Sequence, residues 1–348
     1  MNPYILTTLM LALGLGTTIT FASSHWLLAW MGLEMNTLAI IPLMAQPHTP
    51  RAVEASTKYF LTQATAAAML LFASTTNAWL TGQWNIQQTS HPLPTTLVTL
   101  ALALKIGLAP IHSWLPEVLQ GLEMTTAVIL STWQKLAPLA LLVQIQLSDS
   151  TILILLGLIS TLVGGWGGLN QTQLRKILAY SSVAHLGWMV LVLQFSPPLT
   201  LLTLLMYFIM TFSMFIMFKL YNSTSINMLA LSWAKAPTLT SLTPLILLSL
   251  GGLPPLTGFM PKWLILQELT KQDLAPMATI AALSALLSLY FYLRLSYALT
   301  LTASPNNLSG TIPWRTPSLQ LTLPLSISTM ASLTLLPLTP GMTLLLTL

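Results

Sequence analysis

Cysteine and charge are the two things that this sequence has least of. None of the 348 residues is cysteine, and only 5% are Asp, Glu, Lys or Arg. The absence of cysteine excludes disulfides, thiolate-held iron–sulfur clusters and cysteine-type zinc sites within this chain. So few charges cannot cover the surface of a soluble domain, and 54% of the residues are hydrophobic. The composition therefore predicts an all-α, polytopic membrane protein.

Other classes of protein are disfavoured by the arrangement of the residues. The net charge is +5, but the positive residues are dispersed and form no patch for nucleic acid. The apolar runs are continuous and do not alternate as the strands of a membrane β-barrel do. No predicted span carries two histidines, which argues against a bis-histidine haem. The start, Met1-Asn-Pro-Tyr, lacks the basic region of a cleavable leader. We expect neither a metal nor a cofactor on this chain.

The apolar runs predict about eleven transmembrane helices, since a span needs about 20 mainly apolar residues. The connections between them are short. The predicted spans are 3–21, 25–44, 58–80, 95–119, 124–146, 150–170, 175–195, 199–220, 241–269, 276–300 and 318–336.

Two of these spans, the fourth and the ninth, carry a matching proline-rich interruption. Their sequences lie 145 positions apart and share Gly107/Gly252, Leu108/Leu253, Pro110/Pro255, Pro116/Pro261 and Leu119/Leu264. Apolar helices broken at corresponding places in two halves are typical of the substrate or ion site of a transporter. The second break comes five spans after the first, and an odd offset reverses the direction through the membrane, so the halves are predicted to be inverted repeats. The predicted divisions are 1–148, 149–303 and a C-terminal helix and tail at 304–348.

Basic residues in the short loops predict the orientation. With eleven spans, seven fall on one side and only Lys271 on the other, which places the N-terminus on the cytoplasm- or matrix-like side and the C-terminus opposite. The seven are Arg51, Lys58, Arg175, Lys176, Lys219, Lys235 and Arg315.

Few ionisable groups remain inside the spans, and each is a functional candidate because a lone ion in the membrane is costly. Glu34 is the only carboxylate predicted to lie deep in the membrane, so it is the natural partner of Lys105 beside the first break. Lys135 has polar neighbours, and Lys262 follows the second break. A lysine whose surroundings alternate between apolar and acidic can take up and release a proton. A static pair that fixes helix register is the alternative for Glu34 and Lys105.

The histidines and Arg294 are weaker candidates. His112 lies in the first break and His185 in the seventh span, where either could relay protons or serve as a hydrogen-bonded structural residue. Arg294 is predicted to be an interface anchor. His25, His48 and His91 are predicted to be ordinary surface residues.

Three motifs carry a resemblance to a known family. They are Trp30-Met-Gly-Leu-Glu-Met-Asn36, Leu174-Arg-Lys-Ile-Leu-Ala-Tyr-Ser-Ser-Val-Ala-His-Leu-Gly-Trp188 and Gly251-Gly-Leu-Pro-Pro-Leu-Thr-Gly-Phe-Met-Pro-Lys-Trp263. Over essentially its whole length the chain resembles the subunit 2 family of mitochondrial NADH:ubiquinone oxidoreductase, respiratory complex I, in its animal form. This family is antiporter-like and has two inverted five-helix bundles; its animal members lack three helices that bacterial members carry.

The resemblance implies a site and a setting. Glu34, Lys105, Lys135 and Lys262 match the family's charged residues for proton translocation, and His112 and His185 lie near its polar axis. NADH, FMN, iron–sulfur clusters and ubiquinone would be held by other subunits. The implied partners are neighbouring antiporter-like and small membrane-arm subunits and phospholipids, in the mitochondrial inner membrane, with the N-terminus on the matrix side.

Three functions stay open at this point. The first is a proton-translocating membrane-arm subunit. The second is a self-contained cation/proton antiporter, which a single deep carboxylate supports poorly, because cation sites favour several oxygen ligands. The third is a structural scaffold whose buried ion pairs are inert.

Overall fold

The computed structural model describes residues 2–89, 91–145, 151–234, 236–303 and 322–347. These residues form helices, and the two extended contacts among them are isolated bridges, His25 with Asn85 and Gln173 with Ser225. The predicted all-α class is therefore confirmed. The chain divides into two compact units, 1–157 and 158–348.

The first unit contains seven helices among its described residues, and an eighth runs from it into the second unit. They are α1 Pro3–Ala22, α2 Trp26–Ala45, α3 Pro50–Thr81, α4 Pro92–Ile106, α5 Trp114–Gly121, α6 Met124–Ser131, α7 Trp133–Gln144 and α8 Thr151–Gly168.

The second unit continues with α9 and ends at α16. Its helices are α9 Leu174–Val192, α10 Pro197–Tyr221, α11 Ile226–Ala230, α12 Pro237–Gly251, α13 Phe259–Lys271, α14 Ala275–Leu301, α15 Thr322–Thr334 and α16 Thr339–Thr347.

Both predicted helix breaks are present, and their boundaries match. The pair α12 and α13 begins, ends and restarts 145 positions after α4 and α5. Gly107 and Gly252 end the first half of each pair with φ of 85° and 79°, a left-handed conformation that glycine adopts without steric cost. A proline begins each first half, where its missing N–H has no helical partner to lose. The two units therefore repeat the same local backbone, while their predicted inverted relation and the limits at 148 and 303 stay predictions.

The number of spans is less well defined than the fold class. In the described part of the chain, six helices are long and apolar enough to cross a membrane, and α15 with α16 forms a seventh candidate bent by 69°. The halves α4 and α12 are shorter apolar helices. The predicted count of eleven stays a prediction. Lys235, Arg315 and the start of the last predicted span lie outside the described residues.

Two predicted spans differ from the structure in detail. The fifth was predicted as one helix, but Thr132 interrupts it between α6 and α7, with φ −113° and ψ −70°. The Thr132 hydroxyl donates to the Val128 carbonyl at 2.7 Å, a side-chain bond that competes with regular helix geometry. The last predicted span is followed by a second helix, α16, where a tail was predicted.

Replacing Gly107 with alanine should destabilise the first unit. The new Cβ would lie 2.9 Å from Leu115 Cδ1 and would have to adopt a positive φ, which costs about 1–2 kcal/mol for an L-residue. Gly14→Ala is the matched control, because nothing lies within 4 Å of its Cβ position and alanine favours a helix interior by about 1 kcal/mol. The fraction of detergent-solubilised protein that stays folded after heating, followed over a range of temperatures, would measure the stability of both variants. Equal melting of the two variants would contradict the importance of the break.

Candidate functional site

Lys105 is buried in the last turn of α4, directly before the first break. Only 2% of its side chain is exposed, and its Nζ lies 3.7 Å from Oε1 of Glu34 on α2. The Thr37 hydroxyl, one turn further along α2, donates to the other Glu34 oxygen at 3.2 Å. The structure therefore brings together the deep carboxylate and the lysine that the sequence suggested as partners.

The Glu34–Lys105 pair is an ion pair without a direct hydrogen bond. A separation of 3.7 Å exceeds the usual length of an N–H···O bond. Among the described residues, neither Lys105 Nζ nor Glu34 Oε1 has a hydrogen-bond partner, although both atoms are buried. Buried polar atoms are rarely left in this state, and water commonly satisfies them. The pair is thus open to a bridging water and to small changes in separation.

A cavity of about 10 Å³ lies beside Lys105, which is room for about one water molecule. Lys135 of α7 lines the same cavity, so the structure brings the two buried lysines of the first unit to one place. The polar and aromatic lining consists of Asn36, Thr37, Tyr59, Gln63, Lys105, Trp114, Gln134 and Lys135. These groups can hold and orient water.

Lys135 also lies beside an irregular stretch of helix. It is buried, with 2% exposed, and it follows the interruption at Thr132 by three residues. Pro138 lies three residues beyond it inside α7 and has no N–H to give to the helix. Both buried lysines of the first unit, Lys105 and Lys135, are therefore placed where backbone groups are released from regular helix bonding.

Side chains satisfy the carbonyls that the first break releases. The Trp114 indole donates to the Leu104 carbonyl at 3.1 Å, and the Gln63 amide donates to the Lys105 carbonyl at 3.4 Å. Trp114 begins α5, and Gln63 lies on α3. The two sides of the break are thus connected across the position of Lys105.

In the second unit, a lysine side chain donates to the carbonyl that the break releases. Lys262 Nζ donates to the Gly251 carbonyl, the last residue of α12, at 2.7 Å. Its side chain packs over Gly252, where a Cβ would lie 2.9 Å from Lys262 Cδ. A cation at the C-terminal end of a helix is also favoured by the helix dipole. Backbone groups at the second break, the Gly251 carbonyl and Gly252, therefore fix the position of Lys262.

His185 and Lys262 line one cavity of about 20 Å³, room for about one water or slightly more. The His185 ring also lies 5.5 Å from the Tyr207 ring, centroid to centroid. The sequence had suggested each of these two residues separately, and the structure places them together.

His112 is separate from the lysines. Its Nδ1 lies 3.3 Å from the Pro110 carbonyl, its side chain is partly exposed, and it does not line the cavity of Lys105 and Lys135. Arg294 is exposed and donates to the Leu169 carbonyl at 2.7 Å. His25 was predicted to be an ordinary surface residue, but its imidazole accepts from the Leu27 amide at the start of α2 and stacks on Trp84.

An exposed ion cluster ties the start of α3 to α5. Lys58 Nζ lies 2.7 Å from both Glu54 and Glu117, and Glu117 is in the first turn after the break. The hydrogen bond from Lys58 and the charge of Lys58 lower the pKa of the Glu54 carboxyl. Exposed ion pairs contribute little to stability, so we infer that the main effect of this cluster is to orient α5 against α3.

Sequence reasoning missed Tyr59, Gln63 and Trp114. Tyr59 and Gln63 are four residues apart on α3, so they lie on one face of a helix that is otherwise rich in alanine. That polar pair in a small-residue segment was the available signal. Among the described residues, no group of three His, Cys, Asp or Glu side chains is placed to hold a metal ion.

Family comparisons identify what the chain is similar to. The model described as the transmembrane region of NADH:quinone oxidoreductase/Mrp antiporters matches residues 23–288, and the NADH dehydrogenase subunit 2 C-terminus matches residues 289–343. NADH-ubiquinone oxidoreductase chain 2 of Tetraodon nigroviridis is 74% identical over 98% of both chains. The protein of the same name from Salmo salar is 72% identical over 100% of both.

Solved structures share the fold. A chain of respiratory complex I from Thermus thermophilus with bound Aureothin gives a TM-score of 0.84 at 29% identity, covering 97% of this chain and 78% of that one. A chain of the Mrp complex from Dietzia sp. gives 0.80 at 19% identity, covering 97% and 76%, and indicates the fold alone.

A double-mutant cycle tests whether Glu34 and Lys105 interact. Glu34→Gln alone leaves a buried ammonium without its counter-charge, and Lys105→Met alone leaves the carboxylate, whereas the double variant removes both. We expect a coupling energy on the order of 1 kcal/mol or more between the two residues in the free energy of unfolding. The measurement is the unfolding of each solubilised variant. If the effects of the two substitutions simply add, the coupling energy is zero and the pair does not contribute to stability through this contact.

Proposed function

The chain belongs to the NADH:quinone oxidoreductase/Mrp antiporter family, in the branch of NADH-ubiquinone oxidoreductase chain 2, and we propose that Lys105, Lys135 and Lys262 carry its proton translocation. It is a membrane-arm subunit of an H⁺-translocating NADH:ubiquinone oxidoreductase. The observation that carries the assignment of residues is the buried Lys105 ammonium, which has no hydrogen-bond partner in the described chain and lines a cavity of water size with Lys135.

The proposed mechanism in the first unit depends on the separation of Glu34 and Lys105. At 3.7 Å, the carboxylate stabilises the charged form of the lysine without locking it in a direct hydrogen bond. If the two move apart, the ammonium is left in apolar surroundings and releases its proton. Water in the cavity or Lys135 would receive that proton. Changes in this distance would therefore couple helix movement to proton transfer.

The second unit offers a similar exchange between Lys262 and His185. The bond to the Gly251 carbonyl favours the ammonium form, because a charged donor makes a stronger hydrogen bond than a neutral amine does. His185 lines the same cavity, and a neutral imidazole has one nitrogen that donates and one that accepts a hydrogen bond. We assign His185 the role of proton acceptor from Lys262 through water. His112 does not line the cavity of Lys105 and Lys135, so its proposed relay role requires water that enters at the first break.

The wider setting belongs to the same proposal. NADH, FMN, iron–sulfur clusters and ubiquinone would be bound by other subunits. Electron transfer there would drive the change in distance between Glu34 and Lys105 and the proton exchange at Lys262. The partners would be neighbouring antiporter-like subunits, small membrane-arm subunits and phospholipids. The location would be the mitochondrial inner membrane, with the N-terminus in the matrix, as the basic loop residues suggest.

Lys262→Met should slow proton-coupled NADH oxidation on the order of a hundredfold, as removal of a direct proton carrier does. The measurement is proton movement and NADH oxidation by the complete complex in sealed vesicles. Lys271→Met is the matched control, because Lys271 is exposed and pairs only at the surface with Glu268. If Lys262→Met assembles and pumps normally, an inert scaffold role for this lysine replaces the proposal. Normal function of the control is required for the comparison.

A further inference from the structure

We propose that Tyr59 and Gln63 of α3 connect Lys105 to Lys135: the Tyr59 hydroxyl passes the proton and Gln63 positions the Lys105 end. This inference rests on the proposed function, since it names the connection between two of its proton carriers. Neither residue was a candidate from the sequence, and neither carries a charge.

The geometry of α3 presents both side chains to the same place. Residues four apart stand one above the other on a helix face. Tyr59 is 2% exposed and Gln63 is 3% exposed, and both line the cavity that Lys105 and Lys135 also line. The cavity is only about 10 Å³, so a single water placed in it would be within reach of several lining groups. α3 thus forms the wall that the two lysines have in common.

Gln63 fixes the position of Lys105 through the backbone. Its amide donates to the Lys105 carbonyl at 3.4 Å. That carbonyl belongs to the last turn of α4, where the break has removed the ordinary helical donor. An amide group stays neutral near neutral pH and does not act as an acid or a base, so Gln63 acts as a positioning residue.

Tyr59 is held against the other side of the break. Its ring meets the Trp114 ring edge-on, with 5.8 Å between the centroids, and the Trp114 indole is bonded to the Leu104 carbonyl. The ring contact with Trp114 therefore holds the phenol at the cavity that Lys105 also lines.

The hydroxyl can pass a proton without a net change in itself. Lys105 in its ammonium form gives a proton to Tyr59 Oη, either directly or through the cavity water, which accepts that proton and passes one of its own to Oη. The hydrogen already on Oη moves on to the neutral amine of Lys135. Tyr59 ends with one hydrogen, Lys105 becomes neutral and Lys135 becomes charged. A phenol oxygen can do this because it both donates and accepts. Rotation of the hydroxyl then restores the starting arrangement.

Tyr59→Phe in the complete complex tests the relay, because it removes one oxygen atom and leaves the ring packing in place. We expect proton-coupled NADH oxidation in sealed vesicles to fall about tenfold, less than for loss of a proton carrier, since water can partly replace the hydroxyl. The solvent deuterium isotope effect should rise, and the pH profile of turnover should change. A purely structural tyrosine would move neither of these last two quantities.

Tyr221→Phe is the matched control. Tyr221 is equally buried, and its hydroxyl contacts the sulfur of Met217 at 3.8 Å. It lies outside both cavities, so turnover, isotope effect and pH profile should match those of the unaltered complex.

Gln63 needs its own pair of variants. Gln63→Met keeps the length of the side chain but loses the donor to the Lys105 carbonyl, and it should lower turnover and shift the pH profile. Gln63→Glu, which can donate to that carbonyl only when protonated, should recover turnover towards acidic pH. If both variants share the unaltered pH profile, the positioning role is wrong.

The outcomes separate this inference from the proposed function. If Lys105→Met abolishes pumping while Tyr59→Phe leaves turnover, isotope effect and pH profile unchanged, the relay through Tyr59 is overturned and the lysine site stands. If Lys105→Met itself leaves pumping intact, the proposed function fails first. If Tyr59→Phe does not assemble, Tyr59→His, which keeps a donor and an acceptor on an aromatic ring, takes its place: assembly with partial turnover supports the relay, and assembly with an unaltered pH profile contradicts it.

Discussion

A helix that is broken inside a membrane must find donors for the carbonyls that the break releases, because the lipid offers none. This requirement shapes both units of the protein. In the first unit, the Leu104 and Lys105 carbonyls receive the Trp114 indole and the Gln63 amide. In the second unit, the Gly251 carbonyl receives the Lys262 ammonium. Polar and charged groups are therefore present at these places because the backbone needs them.

The same requirement makes a proton site possible. A carbonyl at the end of a half-helix stabilises a cation that would otherwise be costly in apolar surroundings. Each break also leaves a small cavity beside a lysine, with Lys135 next to Lys105 and His185 next to Lys262. Lys135 lies beside a further irregularity, between Thr132 and Pro138. Under the proposed function, Lys105 and Lys262 would exchange their protons with water in these cavities.

The sequence predicted those features that depend on backbone chemistry. The positions of Gly107 and Gly252 and of the matched prolines indicated both breaks, because few other residues adopt or favour such conformations. The Glu34–Lys105 contact could be anticipated because Glu34 is the only deep carboxylate. The interruption at Thr132 could not be, since a threonine bond to the backbone occurs in many regular helices. Nor could the roles of Tyr59 and Gln63, because uncharged residues give no electrostatic signal and their meeting with Lys105 depends on the packing of α3 against α4.

Water beside the lysines is the most direct test of this account. An experimental density map of the assembled complex, at a resolution that shows ordered water, would reveal what fills the two cavities. The account predicts a water within hydrogen-bond distance of Lys105 Nζ in the cavity shared with Lys135, and another beside Lys262 and His185. Dry cavities, with Lys105 bonded directly to Glu34 and Lys262 bonded to the backbone alone, would contradict the claim that the helix breaks create proton sites.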